Sequence, residues 1–224
     1  MKFLALDTAD QRCSVALLAD DRLLEREMVA ERVHAEVLLP MVEQLLAEAG
    51  LKLQSLDGLA FGRGPGAFTG LRVAASVAQG LAYGAAIPVV PVSNLSALAA
   101  SAHRQHGAGR ILAALDARMH EVYWAAFEVR GEEVTILAEE SLSPPEALTA
   151  PAGGAWYGAG SGWAAYPEAL KGRVSALEGV DVRCHATAGD IARLGYKALQ
   201  QGGAVSPERA VPVYLRDNVA TPKI

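Results

Sequence analysis

Apolar residues cluster in short runs at the start of the chain. Residues 2–7 and 13–19 are two such runs, the polar pair Asp20-Asp21 follows, and 22–29 forms a third extended stretch. This spacing predicts a three-strand meander. The period then changes, because Val37, Leu38, Met41, Val42, Leu45, Leu46 and Ala49 recur at helical spacing with Glu36, Glu43, Gln44 and Glu48 between them. An amphipathic helix over 34–49 is predicted. Pro40, which has no amide hydrogen to donate, should kink it or mark its effective start. A short strand at 59–61, a loop at 62–69, a helix at 70–83 and a strand at 87–92 come next. Strand, helix, strand implies a parallel crossover.

After a helix predicted at 93–104 the pattern begins again. Residues 111–115 end in Asp116, 121–129 follow, Gly131 turns the chain, and 134–138 form a third strand. Leu4-Ala5-Leu6-Asp7 and Ala113-Ala114-Leu115-Asp116 each open a hairpin with a strand that ends in aspartate, which marks an internal duplication. The prediction is an α/β protein of two related lobes, 1–108 and 109–224. In the second copy, 155–157 runs into Gly158-Ala159-Gly160-Ser161-Gly162, and 191–200 supplies a late helix. Segment 141–180 has little pattern. The tail 207–224 carries prolines 207, 212 and 222 with Val211, Val213, Tyr214 and Leu215, so it should be extended and docked.

Composition narrows the classes of function. A chain of 224 residues that is 51% hydrophobic has material for a real core. Its net charge is −5 and the acidic excess lies wholly within residues 1–57. A protein that grips a phosphate backbone by itself carries a basic stripe instead, so nucleic acid is at most an indirect partner. Cys13 and Cys184 are too few for a disulfide framework and match no zinc spacing. The first segment meets Asp7 after four apolar residues, short of a signal or membrane span. The chain reads as soluble and cytoplasmic, with no membrane partner.

Candidate chemistry is sparse. The loop containing Gly64, Pro65, Gly66, Thr69 and Gly70 lies between a strand and a helix, where backbone donors cradle anions. It matches neither the P-loop nor the dinucleotide fingerprint. It is either an anion site or a tight turn that needs glycine for positive φ. Asp7 and Asp116, at strand ends in the two halves, are candidates for a metal or phosphate pair facing one cleft. The alternative is that they cap turns, and Arg118 would occupy the space of a phosphate. His103 and His106 have i,i+3 spacing but no third ligand, which suits a helix end better than a metal. Cys184 and His185 are adjacent and point apart on an extended segment. No catalytic residue, metal site or cofactor is assigned.

The helix after the glycine loop is apolar around most of its circumference, with only Arg72, Ser76, Gln79 and Tyr83 forming a polar stripe. Such a helix wants two neighbours, and Ala74, Ala78 and Ala82 at i,i+4 permit close approach. Either its own sheet and the first helix bury it, or the two helices form a partner interface. The interface residues would be His34, Val37, Leu38, Met41, Val42, Leu45, Leu71, Ala74, Val77, Ala78 and Leu81.

Five segments together resemble the TsaB family, which works in forming threonylcarbamoyladenosine beside the tRNA anticodon. They are Leu4-Ala5-Leu6-Asp7-Thr8 with Cys13-Ser14-Val15-Ala16-Leu17, His34-Ala35-Glu36-Val37-Leu38-Leu39-Pro40, Gly64-Pro65-Gly66-Ala67-Phe68-Thr69-Gly70-Leu71-Arg72, Asp116-Ala117-Arg118-Met119 through Glu121-Val122-Tyr123, and Pro212-Val213-Tyr214-Leu215-Arg216. The resemblance implies a duplicated actin-like, Hsp70-like fold of the ribonuclease H-like class. It also implies a partner subunit that binds and activates TsaD, with TsaE joining the assembly, and a homodimer when alone. TsaD supplies two histidines to iron or zinc after the corresponding strand, whereas here alignment of the prolines puts Asn94 and Leu98 there. Leucine cannot coordinate a cation, so a pseudo-enzyme is expected. The family has also been labelled glycoprotease-like, and no residues here support peptidase chemistry. The competing reading is an ATP-binding actin-like kinase or carbamoyl transferase acting alone, with Asp7 and Asp116 holding magnesium.

Overall fold

The computed structural model describes residues 1–20 and 22–216. Strands β1 (Lys2–Asp7), β2 (Arg12–Ala19), β3 (Arg22–Val29), β4 (Gly58–Gly64) and β5 (Val89–Ser93) form one sheet in the order β3-β2-β1-β4-β5. Strands β6 (Arg110–Asp116), β7 (Val122–Arg130), β8 (Glu133–Ser143), β9 (Trp156–Ala159) and β10 (Leu177–Asp181) form a second in the order β10-β9-β6-β7-β8. In each, the first strand of the copy is central, an antiparallel meander lies to one side, and two parallel strands lie to the other. The two sheets therefore share one topology, and the duplication read from the aspartate-ended strands is real. Asp21, in the expected turn between β2 and β3, and residues 217–224 of the tail lie outside the described residues.

Side-chain alternation divides each sheet into two faces. Leu4 and Leu6 of β1, with Val15, Leu17, Leu59 and Phe61, pack under helices α1 (His34–Ala49) and α2 (Phe68–Ala85). Phe3 and Ala5, with Ala16, Ala60, Val90 and Val92, meet Ala188, Ile191 and Ala192 of the last helix, Ala188–Gln200. In the second sheet, Ile111, Ala113, Ala125 and Phe127 pack under Leu95, Leu98, Ala99 and Ala102 of α3 (Asn94–His106). Its other face buries Trp156 and Trp163 with Leu112, Trp124 and Leu170. Segment 141–180, where little pattern was evident, holds β9, β10 and the short helices α4 (Ser161–Ala165) and α5 (Pro167–Lys171).

The helices exchange between copies. Helix α3 follows the first sheet in sequence but packs on the second, and α6 (Ala188–Gln200) follows the second but packs on the first. The division at 108/109 falls between the two sheets, and α3 and α6 each cross it to pack on the sheet of the opposite copy. Two buried features fix the crossing. Gly195 of α6 has no Cβ because one would sit 2.5 Å from Cβ of Ala60. Asp190, almost wholly buried, accepts two hydrogen bonds from Arg104 of α3 at 3.1 and 3.0 Å. A carboxylate at such depth requires a paired charge.

Local signals explain the helix ends. Ser93 Oγ accepts the Ser96 amide at 3.1 Å to cap α3, and Thr187 Oγ1 accepts the Asp190 amide at 3.3 Å to cap α6. Gly50, at φ 65°, ends α1 in the left-handed region. Pro40 lies inside α1, which runs through it from His34. The amide that proline lacks would have bonded the carbonyl of Glu36, an exposed residue, so the missing donor falls on the solvent side of the helix.

Candidate functional site

The cleft between the lobes encloses about 490 Å³ and is lined chiefly by three segments, with Ala9 to Gln11, Tyr123 and Ser161 completing it. The glycine loop and the start of α2 supply Pro65, Gly66, Ala67, Phe68 and Leu71. The end of β6 supplies Leu115 to Arg118. The docked tail supplies Val213 to Arg216. Within the described part of the tail, Pro207–Arg209 form a short 3-10 helix and residues 211–216 then dock across both lobes. The Val213 amide donates to the Arg63 carbonyl at 2.8 Å, and Arg72 Nε donates to the Tyr214 hydroxyl at 3.0 Å. At the far side Arg216 Nη2 donates to Glu121 Oε2 at 2.6 Å and to the Ala117 carbonyl at 3.0 Å. Arg216 braces a tight loop in which Arg118, Met119 and His120 all have positive φ, a backbone that costs L-residues energy at each position.

The glycine loop is a tight turn whose amides serve the fold. The Gly64 amide donates to Asn94 Oδ1 at 2.8 Å, and the Ala67 amide to the Ala9 carbonyl at 2.7 Å. Thr8 Oγ1 donates to the Gly70 carbonyl at 2.7 Å. Glycine is required where the loop touches its neighbours. Gly64 has φ 115°, a Cβ on Gly66 would meet the Ala9 carbonyl at 2.6 Å, and a Cβ on Gly70 would collide with the Thr8 carbonyl. Pro65 is buried beside them, and Thr69 is exposed on the first turn of α2.

Of the expected pair, Asp116 lines the cleft and Asp7 does not. Asp7 is 4% exposed and lies beneath the loop, where it accepts a hydrogen bond from Asn94 Nδ2 at 2.8 Å. Desolvation pushes its pKa up to about 7, against the opposing effect of the Asn94 bond. Asp116 does line the cleft, but it turns back on its own loop. It accepts the Arg118 amide at 2.9 Å and pairs with the Arg118 guanidinium at 3.3 Å. Among the described residues no group of three or more His, Cys, Asp or Glu is placed to hold a metal.

The positions that correspond to the TsaD histidines do not fit an ion. Asn94 links Asp7 to the glycine loop and Leu98 is in the core of the second sheet. Burial pushes the Cys13 thiol up to about 12 and Cys184 up to about 11, which disfavours their thiolates. His185 bonds Glu27 at 3.0 Å, His103 bonds the Ala108 carbonyl at 2.8 Å, and His106 bonds Asp181 at 2.9 Å. Each imidazole thus has a structural partner.

The residues expected at a partner interface lie as follows. Leu38, Met41, Val42, Leu45, Ala74 and Ala78 are buried within this chain in the core against the first sheet, and Leu71 is buried beside the cleft. Val37, Val77 and Leu81 are half-buried against the same core, and half-buried His34 points Nε2 at the Arg12 carbonyl, 3.2 Å away. The outward surfaces of the two helices consist of other residues. On α1 these are Glu36, Leu39, Pro40, Glu43 and Ala47, and on α2 Arg72, Ser76, Gly80, Tyr83 and Gly84. Tyr83 is 75% exposed and Leu39 is 42% exposed. Sequence reasoning missed this set, although one signal was available: two glycines inside a helix, four residues apart.

The architecture defines a duplicated α/β protein built on two five-stranded sheets of one topology, with a glycine loop bonded into its own fold. Comparison with known proteins makes the assignment particular. The family model described as TsaD, tRNA N6-adenosine threonylcarbamoyltransferase, matches residues 28–224. A relative from Escherichia coli K12 named tRNA threonylcarbamoyladenosine biosynthesis protein TsaB is 40% identical, over 100% of this chain and 98% of its own length. The protein of the same name from Haemophilus influenzae is 39% identical, over 100% and 97%. The solved structure of YeaZ from Pseudomonas aeruginosa superposes with a TM-score of 0.90 at 45% identity, covering 96% of this chain and 99% of that one. The chain belongs to the TsaB family of tRNA threonylcarbamoyladenosine biosynthesis proteins. No described helix is long and apolar enough to cross a membrane.

Proposed function

We propose that this chain is a non-catalytic partner subunit that pairs with TsaD, through the outward faces of α1 and α2, in forming N6-threonylcarbamoyladenosine in tRNA. One observation carries the reading: Ser76, Gly80 and Gly84 form a stripe of small residues along the outward side of α2. A glycine inside a helix costs roughly 0.5–1 kcal/mol relative to alanine. A Cβ on Gly80 or Gly84 would meet nothing within 4 Å, so the chain's own packing does not require either glycine. The backbone of a second helix approaching to about 8–10 Å does. Tyr83 and Leu39, exposed beside the stripe, add apolar area of the kind that seeks burial.

On this reading TsaE joins the assembled complex, tRNA is contacted only indirectly, and the isolated chain self-associates through the same face in the cytoplasm. Asp7 is bonded to Asn94 of α3 and Asp116 to Arg118 of its own loop, arrangements that favour this reading over the rival ATP-dependent enzyme. The test is Gly80→Arg. The substitution removes a helix-interior glycine from a site with room for a side chain, so the monomer keeps or gains thermal stability. Co-elution with TsaD on size-exclusion chromatography is lost. A folded variant that still pairs normally overturns the reading.

A further inference from the structure

Beside the small stripe lies a shallow depression of about 400 Å³, lined by Ser76, Gln79, Gly80, Tyr83, Pro207 and Glu208. We propose that it is a socket for one basic side chain, arginine or lysine, of the partner protein. The inference rests on the reading that this face pairs with TsaD, and it adds the chemistry of the contact. The lining is what a cation needs. Tyr83 presents an exposed aromatic ring, and the faces of such rings attract guanidinium and ammonium groups. Glu208 is the only charged residue of the lining and forms no ion pair among the described residues. A hydrogen bond from Ser206 holds its carboxyl below the usual carboxylate range. Gln79 spends its amide hydrogens on the Ala210 carbonyl at 3.1 Å, which leaves its oxygen as an acceptor.

Charge across the rest of the face points the same way. Glu36 and Glu43 stand two turns apart on the outward side of α1, both exposed and both unpaired among the described residues. Their neighbour Glu48 is already held by Arg26 at 2.6 Å. The single charge on the outward side of α2 is Arg72. Its guanidinium lies 3.7 Å from the Phe68 ring centre and donates to Tyr214, so it is tied to its own chain. A twofold contact with a second copy would set this acidic patch against an identical one, which weakens self-association through the face without forbidding it, and at physiological salt the repulsion reaches about 8 Å. The occupant that satisfies the unpaired carboxylates is therefore a different chain that carries the cation, and it displaces the second copy.

Calorimetry of purified TsaD binding to the full chain, at low and at high sodium chloride, tests the socket with Glu208→Gln and Tyr83→Leu. Both residues are exposed, so both variants keep their fold, which circular dichroism checks. The expected result is an affinity about tenfold weaker for Glu208→Gln, with most of the salt dependence of the wild type removed. Tyr83→Leu weakens binding similarly while keeping the salt dependence that Glu208 confers. Self-association, followed by sedimentation equilibrium, is unchanged or stronger in Glu208→Gln. Wild-type pairing with TsaD that neither variant nor salt alters overturns the socket and leaves the pairing intact. Failure of the wild type to bind TsaD at any salt overturns the pairing itself. Equal weakening of self-association and TsaD binding by Glu208→Gln would make a second copy the occupant, which also overturns the inference.

Discussion

Replacing Asp7 by asparagine separates a structural aspartate from a metal-binding one. Asp7 is almost fully buried, and the Asn94 bond at 2.8 Å only partly offsets its desolvation, so its pKa rises from 3.8 to about 7. The folded state therefore holds a proton that the unfolded chain has lost between about pH 4 and about pH 7. The stabilisation is complete below the unfolded pKa and disappears as pH rises through the folded one. At about 1.4 kcal/mol per pKa unit, the ionised carboxylate costs of order 4 kcal/mol above pH 7. Asparagine resembles the neutral acid: it has one oxygen to accept from Asn94 and one group that donates. Urea unfolding of both proteins at several pH values should show little difference near pH 4. The Asp7→Asn variant should become more stable than the wild type by a few kcal/mol near pH 8. A variant less stable than the wild type at pH 8, or a difference that does not change with pH, would refute the reasoning.

Other expectations follow from the same contacts. Isothermal calorimetry with ATP and magnesium should give the same result for the wild type and Asp7→Ala, and tight binding abolished by the substitution would restore the enzyme reading. Leu45→Glu, which places a charge on a side chain 1% exposed in the core, should cost at least about 3 kcal/mol and leave little soluble folded protein. Gly70→Ala drives a Cβ into the Thr8 carbonyl, so calorimetric melting should drop by several degrees, matching an overpacking cost of about 1–3 kcal/mol. Arg216→Ala removes the brace from the loop at Arg118–His120, and limited trypsin digestion should then cut after Arg118 faster than in the wild type.

Much of the fold was legible before any coordinates. Strand and helix periods placed nearly every element of the first sheet, as β1 at 2–7 and β3 at 22–29 show. The repeat of an aspartate-ended strand before a hairpin revealed the duplication, because a topology copied within one chain retains the hydrophobic pattern of its first strand. The short elements between 141 and 180 were not legible, since four- and five-residue segments carry too few periods to distinguish helix from strand.

The amino-acid order alone determined most local elements, the twofold repeat and the family, since each is written in neighbouring residues or short spacings. Only the folded chain decided which lobe each helix serves, because α3 and α6 bury their apolar faces against sheets from the opposite copy. Only it decided which side of α2 faces outward. That helix is apolar nearly all round, so hydropathy cannot choose between a core face and a docking face; the positions of the first sheet and α1 make the choice. The fate of Asp7 is of the same kind. Its partner Asn94 is 87 residues away, and a carboxylate's solvation depends on what the fold brings near it, which no local pattern encodes.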